Sequence, residues 1–296
     1  MPSLQRMLED QEVVAVITQP DKPAGRGLKL TPTPVAVAGR SAGAEVLMPA
    51  RLDAEFIDRL RRLRPELLAC ASYGKILPAA LLAMPGLSAL NVHPSLLPKY
   101  RGATPIQAAL RDGCTQTGVT IFWMAQRMDA GDIALPRAIP IDPADDYGTL
   151  HDKLAQAGAV LLSQAAARLS EGQLSRTPQR DEEATYCRPL LKDDLRLRFD
   201  VPAQRVVDQV RSLAPKPGAW MLFEGKRLKV LRAEEVEPAA AASSNAGRAD
   251  SPAPGVVTAF EAAGPVIACA PGAIRLLRVV PEGKPGMSGA QFARGQ

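Results

Sequence analysis

Apolar runs of strand length alternate with helix-like stretches from Val13 to about Leu169. The runs are bounded by polar or turn-forming residues, as β-strands usually are. They are VVAVIT at 13–18, ELLACASY at 66–73, SALNVH at 88–93 and GVTIFWM at 118–124. Strands that alternate with helices in this way predict an α/β domain with a mostly parallel sheet.

Three stretches between and after these runs have the spacing of amphipathic helices. AEFIDRLRRLRPE at 54–66 repeats apolar residues every three or four positions, and IQAALRDG predicts a shorter helix that ends at Gly113. Thr149, followed three positions later by Asp152, predicts the start of a long helix that continues to Leu169. This helix would pack on the sheet and close the first domain.

The pattern changes after the long helix. Residues 170–198 are rich in charge and predict a linker, and VPAQRVVDQVRSL predicts another helix after it. Later strand-like runs indicate a small barrel or sheet. They are AWMLF and KRLKVLRA, separated by a turn at Glu224 and Gly225, and then GVVTAF and IRLLRVV. We therefore predict a domain over residues 1–169, the linker, and a second domain over residues 199–296.

A low-complexity segment interrupts the second domain. It runs from Pro238 to Gly255, is rich in Ala, Ser and Pro, and has no large apolar residue. A segment of this composition cannot bury enough apolar surface to offset the entropy that ordering costs. We therefore expect a mobile loop here.

Composition and charge suggest a soluble protein with an anionic partner. The sequence is 46% apolar, but no run approaches the roughly 18 apolar residues of a membrane span. Its N-terminus mixes both charge signs and lacks the pattern of a secretory signal, so we expect a cytoplasmic protein. The four cysteines contain no CxxC pair, and we expect neither a metal site nor a disulfide framework. The net charge of +5 is modest support for a partner such as nucleic acid.

Three polar residues near predicted strand ends are candidates for chemistry. His93 is one of two histidines and ends a predicted strand, and Asn91 would point to the same face of that strand. Asp129 follows the next predicted strand, so the three groups could lie over one crevice. An amide, an imidazole and a carboxylate suit acyl transfer, which needs donors for an oxyanion and a route for a proton. The residues alone leave another interpretation open, since such side chains often bind loop backbone groups instead.

A longer motif surrounds these residues. NVHPSLLPKYRGATPIQ at 91–107, together with MDAGD at 128–132, resembles the formyltransferase family that uses 10-formyltetrahydrofolate. Asp129 follows His93 by 36 positions, the spacing expected of that family. The resemblance implies a Rossmann-like formyltransferase domain in which Asn91 and His93 donate hydrogen bonds to the formyl oxygen. It also implies that Asp129 orients His93 or assists proton movement.

The resemblance further implies where the formyl donor binds. The turn after His93 would contact folate, and the end of the second predicted strand would line the pterin pocket. The turn residues are Ser95, Leu96, Leu97 and Pro98, and the pocket residues are Tyr73, Gly74, Ile76 and Leu77. Ordinary core packing is the alternative for the Leu and Ile positions. Asp132 is expected to order its loop, and His151 is expected to be structural.

Within the family, the sequence is most similar to the enzymes that formylate methionyl initiator tRNA. TQPDKPAGRGLKLTPTPV at 18–35 resembles their basic loop, in which Lys22, Arg26 and Lys29 would meet tRNA phosphates or bases. The resemblance also implies an OB-like barrel from residue 199 onward that binds the tRNA body. We expect a monomer whose substrates are 10-formyltetrahydrofolate and methionyl initiator tRNA, acting in translation initiation.

The resemblance is incomplete at the N-terminus. The tRNA enzymes of this family begin with an apolar strand and a Gly-Thr-Pro loop, which have no counterpart before about Pro2, so we expect the sequence to start inside the following helix. Without a central strand, backbone donors and acceptors of its neighbours would be uncovered. Two alternatives stay open: a non-catalytic tRNA-binding relative, and a formyltransferase for a small nucleotide-linked amine.

Overall fold

The structure is a computed structural model that describes residues 1–24, 29–84, 86–237 and 252–295. Arg26 and most of the loop expected at 238–255 lie outside these residues. The chain divides into two compact units. The first unit comprises Met1–Gly102, Gln116–Pro140 and Asp152–Tyr186, and the second unit comprises Ala103–Thr115, Ile141–His151 and Cys187–Gln296.

Helices and strands alternate over the first half of the chain, and strands predominate in the second. The helices are α1 Pro2–Asp10, α2 Pro34–Ser41, α3 Ala54–Leu63, α4 Ala79–Leu82, α5 Pro105–Arg111, α6 Tyr147–Ser170, α7 Ala203–Leu213 and α8 Gly289–Ala293. The strands are β1 Val16–Ile17, β2 Lys22–Ala24, β3 Lys29–Thr31, β4 Val46–Leu47, β5 Leu67–Ala71, β6 Ser88–His93, β7 Arg101–Gly102, β8 Gln116–Trp123, β9 Ile133–Pro140, β10 Tyr186–Cys187, β11 Ala219–Phe223, β12 Lys226–Val236, β13 Val257–Glu261, β14 Gly264–Ala268, β15 Ala273–Pro281 and β16 Met287–Ser288. The described part of the chain contains no helix with the length and apolarity needed to cross a bilayer.

The first unit is a mixed α/β structure with two parallel strand pairs. One sheet has the order β5-β6-β8-β9, and β1 pairs with β4 in a second sheet. The pairs β1–β4 and β5–β6 are parallel, as the sequence predicts, whereas β8 runs antiparallel to both β6 and β9. The loop between β8 and β9 is short, and a parallel pair would need a crossover of about a dozen residues or more.

The helix predicted at 54–66 contributes most of the buried side chains of one hydrophobic core in the first unit. Asp53 caps α3, since its Oδ1 accepts a hydrogen bond from the Phe56 backbone N–H at 3.1 Å. The buried side chains of this core come from α3, α4 and β4, and they are Leu47, Phe56, Ile57, Leu60 and Leu81. The apolar face of α3 is therefore turned inward, as its sequence spacing predicts.

A cavity of about 580 Å³ separates the two parallel pairs. Its lining includes residues 13–17 of the β1 segment and residues 67–71 of β5. Among the described strands, β1 pairs only with β4, and β5 pairs only with β6. The β1 segment and β5 therefore both border this cavity, and each has one edge without a described strand partner. Uncovered backbone groups at such an edge are what the sequence analysis expects.

The start of the long helix differs from the prediction. Helix α6 begins at Tyr147 rather than at Thr149. Asp146 Oδ1 accepts a hydrogen bond from the Thr149 N–H at 2.9 Å, and Thr149 Oγ1 accepts one from the Asp146 N–H at 3.0 Å. The prediction that Thr149 and Asp152 cap the helix is wrong, because Asp146 is the capping residue and Thr149 its reciprocal partner.

The second unit is built on antiparallel strands packed against α7. The strand order is β11-β12-β15-β14-β13, with β16 beside β15. Glu224 and Gly225 both have positive φ, at 49° and 76°, and form the predicted turn between β11 and β12. The core includes Val206 and Val210 of α7 together with Ile274 of β15. Among the described residues, this strand path is open at β11 and β13, whereas the sequence predicts an OB-like barrel.

Candidate active site

His93 is the last residue of β6, and its ring is buried with only 4% of the residue exposed. Its Nε2 lies 2.9 Å from the backbone carbonyl oxygen of Tyr100. Because a carbonyl can only accept, Nε2 carries a hydrogen and donates it. In the neutral ring, Nδ1 therefore has a free lone pair.

Asp129 faces the other ring nitrogen. It lies in the loop between β8 and β9, and its Oδ2 is 3.6 Å from His93 Nδ1. The same Oδ2 accepts a hydrogen bond from the Gly102 N–H at 2.8 Å. Asp129 has φ of 51°, in the left-handed region that residues other than glycine seldom adopt. The carboxylate is thus fixed within reach of the imidazole, slightly beyond direct hydrogen-bonding distance.

Burial determines the charge of His93. It lowers the pKa of the imidazole below its usual value of 6.5, while the charge of Asp129 and the bond to Tyr100 act in the opposite direction. The low polarity around the ring outweighs both stabilising contacts. His93 is therefore neutral near pH 7, which leaves Nδ1 able to accept a proton.

Asn91 and Cys70 lie beside this pair. Asn91 is two residues before His93 on β6, is half-buried, and pairs with Cys70 of β5. Burial raises the pKa of the Cys70 thiol to about 11, with a further contribution from the charge of Asp129. In the sequence, Cys70 is only one of four scattered cysteines. Its position opposite Asn91 depends on the register of β5 and β6, which the sequence does not specify.

The route that brings Asp129 to His93 is not the predicted one. Strand β8 is antiparallel to β6, with His93 opposite Thr120 and Leu90 opposite Trp123. The end of β8 is therefore at the opposite end of β6 from His93. The loop that follows β8 must turn back for Asp129 to approach the imidazole.

The predicted folate-contacting turn is tied to β8 by buried hydrogen bonds. Ser95 is fully buried, and its Oγ donates to the Lys99 carbonyl at 2.6 Å. Thr120 Oγ1 donates to the Ser95 carbonyl at 2.7 Å and accepts from the Leu97 N–H at 3.1 Å. Leu96 lies against Gly118, and Pro98 is half-buried. The hydroxyl groups of Ser95 and Thr120 thus fix the shape of the turn.

The predicted pocket residues have different environments. The Tyr73 carbonyl accepts a hydrogen bond from Gln19 Nε2 at 2.9 Å, and Gly74 lies close to the same amide. Ile76 is 80% exposed, whereas Leu77 packs against the core around α3. Leu77 is therefore packed in the core, which is the alternative to a pocket role, whereas Ile76 is not.

The remaining predicted residues each have their own local surroundings. Lys22 lies on β2 and Lys29 on β3, and these two strands pair antiparallel. The backbone carbonyl of Asp132 accepts a hydrogen bond from the Trp123 N–H at 2.8 Å, which closes the loop that carries Asp129. The ring of His151 lies 5.8 Å from that of Tyr147. The described residues contain no group of three or more His, Cys, Asp or Glu side chains that could hold a metal ion.

A buried neutral imidazole, a carboxylate held beside it and an amide on the same strand are the groups of an acyl-transfer site on an α/β enzyme. Comparison with protein families agrees with this class. Residues 3–166 match the formyl transferase family, and residues 189–296 match the formyl transferase C-terminal domain. The chain belongs to the formyl transferase family and is an enzyme of formyl transfer.

Curated relatives match most or all of the chain. A methionyl-tRNA formyltransferase of Moorella thermoacetica is 40% identical over 297 residues, which is 100% of this chain and 92% of the relative. A protein of the same name from Macrococcus caseolyticus is 41% identical over 99% of this chain and 91% of its own length. One from Caldanaerobacter subterraneus is 44% identical over 80% of this chain and 78% of its own length.

Solved structures share the fold at low sequence identity. An N-formyltransferase from Helicobacter canadensis, in complex with folinic acid and dTDP-3-aminofucose, has a TM-score of 0.69 at 16% identity and 93% coverage of both chains. HypX from Aquifex aeolicus, in complex with tetrahydrofolic acid, has a TM-score of 0.59 at 18% identity. The match to HypX covers 86% of this chain but only 43% of HypX.

Proposed function

We propose that this chain transfers the formyl group of 10-formyltetrahydrofolate to the α-amino group of methionine esterified to initiator tRNA. Its similarity to methionyl-tRNA formyltransferases over the whole chain carries the proposal. That similarity includes the second unit as well as the residues around His93. A folate-derived formyl donor accords with membership of the formyl transferase family.

The first requirement of the reaction is a donor for the formyl oxygen. The methionine amine attacks the formyl carbon, the bond from that carbon to the folate nitrogen breaks, and one proton passes from the amine to that nitrogen. Asn91 would donate its amide hydrogen to the oxygen as negative charge develops there, a contact worth on the order of 10² to 10³ in rate. The Nε2 hydrogen of His93 is used by Tyr100, so His93 becomes a second donor only by exchanging that carbonyl for the formyl oxygen.

The second requirement is a route for the proton. Nδ1 of neutral His93 has a free lone pair and lies 3.6 Å from Asp129 Oδ2. We propose that this nitrogen takes the proton from the attacking amine, directly or through water, and returns it to the leaving nitrogen. The negative charge of Asp129 would stabilise the imidazolium while it exists.

The formyl donor would bind beside the turn that follows His93. The hydroxyl oxygen of Tyr73 is buried and has no hydrogen-bond partner among the described residues. A buried hydroxyl without a partner is costly, and a polar atom of a pterin ring would satisfy it. In this proposal, Gly74, the exposed Ile76 and the turn Ser95–Pro98 would contribute the remaining contacts to the donor. The unpartnered Tyr73 hydroxyl is the observation that supports a folate site here.

The tRNA would be bound by two parts of the chain. Lys22, Arg26 and Lys29 would contact acceptor-stem phosphates or bases, because lysine and arginine side chains neutralise the charge of the phosphate backbone. The C-terminal domain at 199–296 would form an OB-like barrel for the tRNA body, following the linker at 170–198. We further propose that the protein acts as a monomer in the cytoplasm, where charged initiator tRNA is used.

The test is transfer of labelled formyl from 10-formyltetrahydrofolate to methionyl initiator tRNA. We expect the wild-type chain and the control His151→Ala to be active, and His93→Ala to lose on the order of 10² in kcat or more. His151 is the second of the two histidines, so the control removes the same chemical group elsewhere.

Three outcomes would contradict the proposal. An inactive wild-type chain that binds tRNA would favour a non-catalytic relative. Transfer to a nucleotide-linked aminosugar in preference to methionyl-tRNA would favour the small-molecule alternative. Equal activity in the His93→Ala and His151→Ala variants would remove His93 from the mechanism.

A further inference from the structure

The loop that carries Asp129 is held by a residue from a distant part of the sequence. Asp129 has φ of 51°, a conformation that a non-glycine residue keeps only when its surroundings enforce it. Gln179 lies within the stretch predicted to be a linker, 50 positions after Asp129. Its Nε2 donates one hydrogen bond to the Asp129 carbonyl at 2.9 Å and another to the Gly131 carbonyl at 2.6 Å. The side-chain amide thus clamps the backbone on both sides of Ala130.

The orientation of the Gln179 amide is fixed by Arg101. Nε and Nη2 of Arg101 both donate to Gln179 Oε1, at 3.0 and 2.8 Å. With its oxygen held by two cationic donors, the amide must direct its NH₂ group toward the Asp129 loop. Arg101 is itself fully buried, and its Nη1 donates to Asp181 Oδ1 at 2.8 Å and to Tyr186 Oη at 3.2 Å. The support behind Gln179 is therefore rigid.

The same segment holds the Asp129 side chain. Gly102, the residue after Arg101, donates its backbone N–H to Asp129 Oδ2 at 2.8 Å. Arg101 and Gly102 thus control both ends of Asp129, the carboxylate directly and the backbone through Gln179. All of these residues belong to the first unit.

We propose that Gln179 is a positioning residue, which holds the Asp129–Gly131 backbone so that the Asp129 carboxylate stays next to His93 Nδ1. Only the catalytic consequence rests on the proposed function, in which Asp129 assists His93. The arrangement of Gln179, Arg101 and the loop is independent of what the substrate is. Gln179 contacts neither the imidazole nor the carboxylate in this network, so it acts through the backbone.

The test replaces Gln179 by methionine, which has similar length and no charge but can neither donate nor accept these bonds. We expect kcat for formyl transfer to fall on the order of 10²-fold, because misplacing a catalytic group by about 1 Å costs that much. KM should change by less than about threefold, because the loss is in the reacting geometry and not in binding. Gln173→Met is the matched control, since Gln173 is exposed and only six positions away.

A second readout separates positioning from a general loss of structure. The charge of Asp129 raises the pKa of His93, so Gln179→Met should lower that pKa further in an NMR titration of the imidazole, as Asp129→Asn should. In the double variant, Gln179→Met should add almost nothing to the effect of Asp129→Asn on either kcat or pKa, because the group it positions is already gone. A residue with a merely structural role would instead give additive losses and leave the pKa of His93 in place.

Two results would overturn the proposal: an unchanged pKa of His93 in Gln179→Met, or additive effects in the double variant. If Gln179→Met does not fold, Gln179→Asn keeps the amide one methylene short, and a full wild-type kcat in that variant would count equally against it. An inactive wild-type chain would contradict the proposed function alone, since the pKa comparison needs no substrate.

Discussion

Gly131 is the one residue of the Asp129 loop that cannot accept a side chain. A Cβ added there would lie 1.8 Å from the Trp123 carbonyl oxygen and 3.0 Å from the Trp123 carbonyl carbon. The φ of Gly131 is ordinary, so the requirement for glycine comes from this close approach and not from backbone conformation. Both atoms belong to the backbone, which has no flexible end that could move aside.

The substitution Gly131→Ala should therefore displace the loop. Ordinary van der Waals contact begins near 3.4 Å, so the oxygen and the new methyl group are about 1.6 Å too close. Part of that shift must be taken by the hydrogen bonds from Trp123 N–H to the Asp132 carbonyl and from Gln179 to the Gly131 carbonyl. Overpacking of this kind costs about 1–3 kcal/mol. A displacement near 1 Å at Asp129 should lower kcat on the order of 10²-fold.

The assay is formyl transfer measured together with thermal unfolding. Gly286→Ala is the control, because Gly286 also lacks a positive φ and its added Cβ would meet its nearest atom at an ordinary 3.5 Å. We expect Gly286→Ala to match wild type in both kcat and Tm, and Gly131→Ala to fall in both. If Gly131→Ala keeps kcat within about twofold of wild type, the loop does not depend on this contact and the reasoning is refuted.

Three further predictions concern groups in or near the site. His93 should titrate below pH 6.5 by NMR, and Asp129→Asn should lower its pKa further. Because the unfolded chain binds this proton more tightly than the folded chain, the stability of the fold should decline as pH falls through 6.5. A His93 pKa above 6.5 would contradict the role of burial. Cys70, with a pKa of about 11, should react with iodoacetamide at pH 8 about 10²-fold more slowly than a free thiol, as peptide mass spectrometry would measure; alkylation at the rate of free glutathione would contradict this. Ile76→Ser should raise KM for the formyl donor without lowering Tm, whereas Leu77→Ala should cost about 2–3 kcal/mol of stability because Leu77 packs in the core; equal Tm values for the two variants would refute the distinction.

The sequence predicts strands well where both faces are buried and poorly where proline interrupts the pattern. SALNVH has the same bounds as β6, at Ser88–His93. Strand β9, Ile133–Pro140, is not predicted, because Pro136 and Pro140 argue against a strand. Strand β9 is an edge strand of the sheet β5-β6-β8-β9. An edge strand tolerates proline, because the missing N–H can lie on the side that has no neighbouring strand. Strand β14 begins with Gly-Pro and escapes prediction for the same reason.

The sequence names candidate site residues within the motif, and it does not name the residues that support them in the structure. Asn91, His93 and Asp129 are named from the sequence because residue type and spacing carry their chemistry. Arg101 and Gln179 are not named, because their bond joins positions 78 apart and has no local pattern. A buried arginine is rare, and Arg101 is the one Arg or Lys among the buried residues of the described part of the chain.

Backbone conformation on both sides of His93 decides what the imidazole can do. Tyr100, whose carbonyl accepts the Nε2 hydrogen, has φ of 59°, and Asp129, whose carboxylate faces Nδ1, has φ of 51°. Left-handed backbone conformations of non-glycine residues are unfavourable, so their presence at both contacts of one histidine indicates that the orientation of the Tyr100 carbonyl and the Asp129 carboxylate lowers the stability of the fold. The consequence is chemical: with Nε2 committed to a carbonyl, the neutral ring presents a lone pair at Nδ1, toward the carboxylate. A sequence motif can state that a histidine and an aspartate are present, but only the structure shows which ring nitrogen meets the carbonyl and which faces the carboxylate.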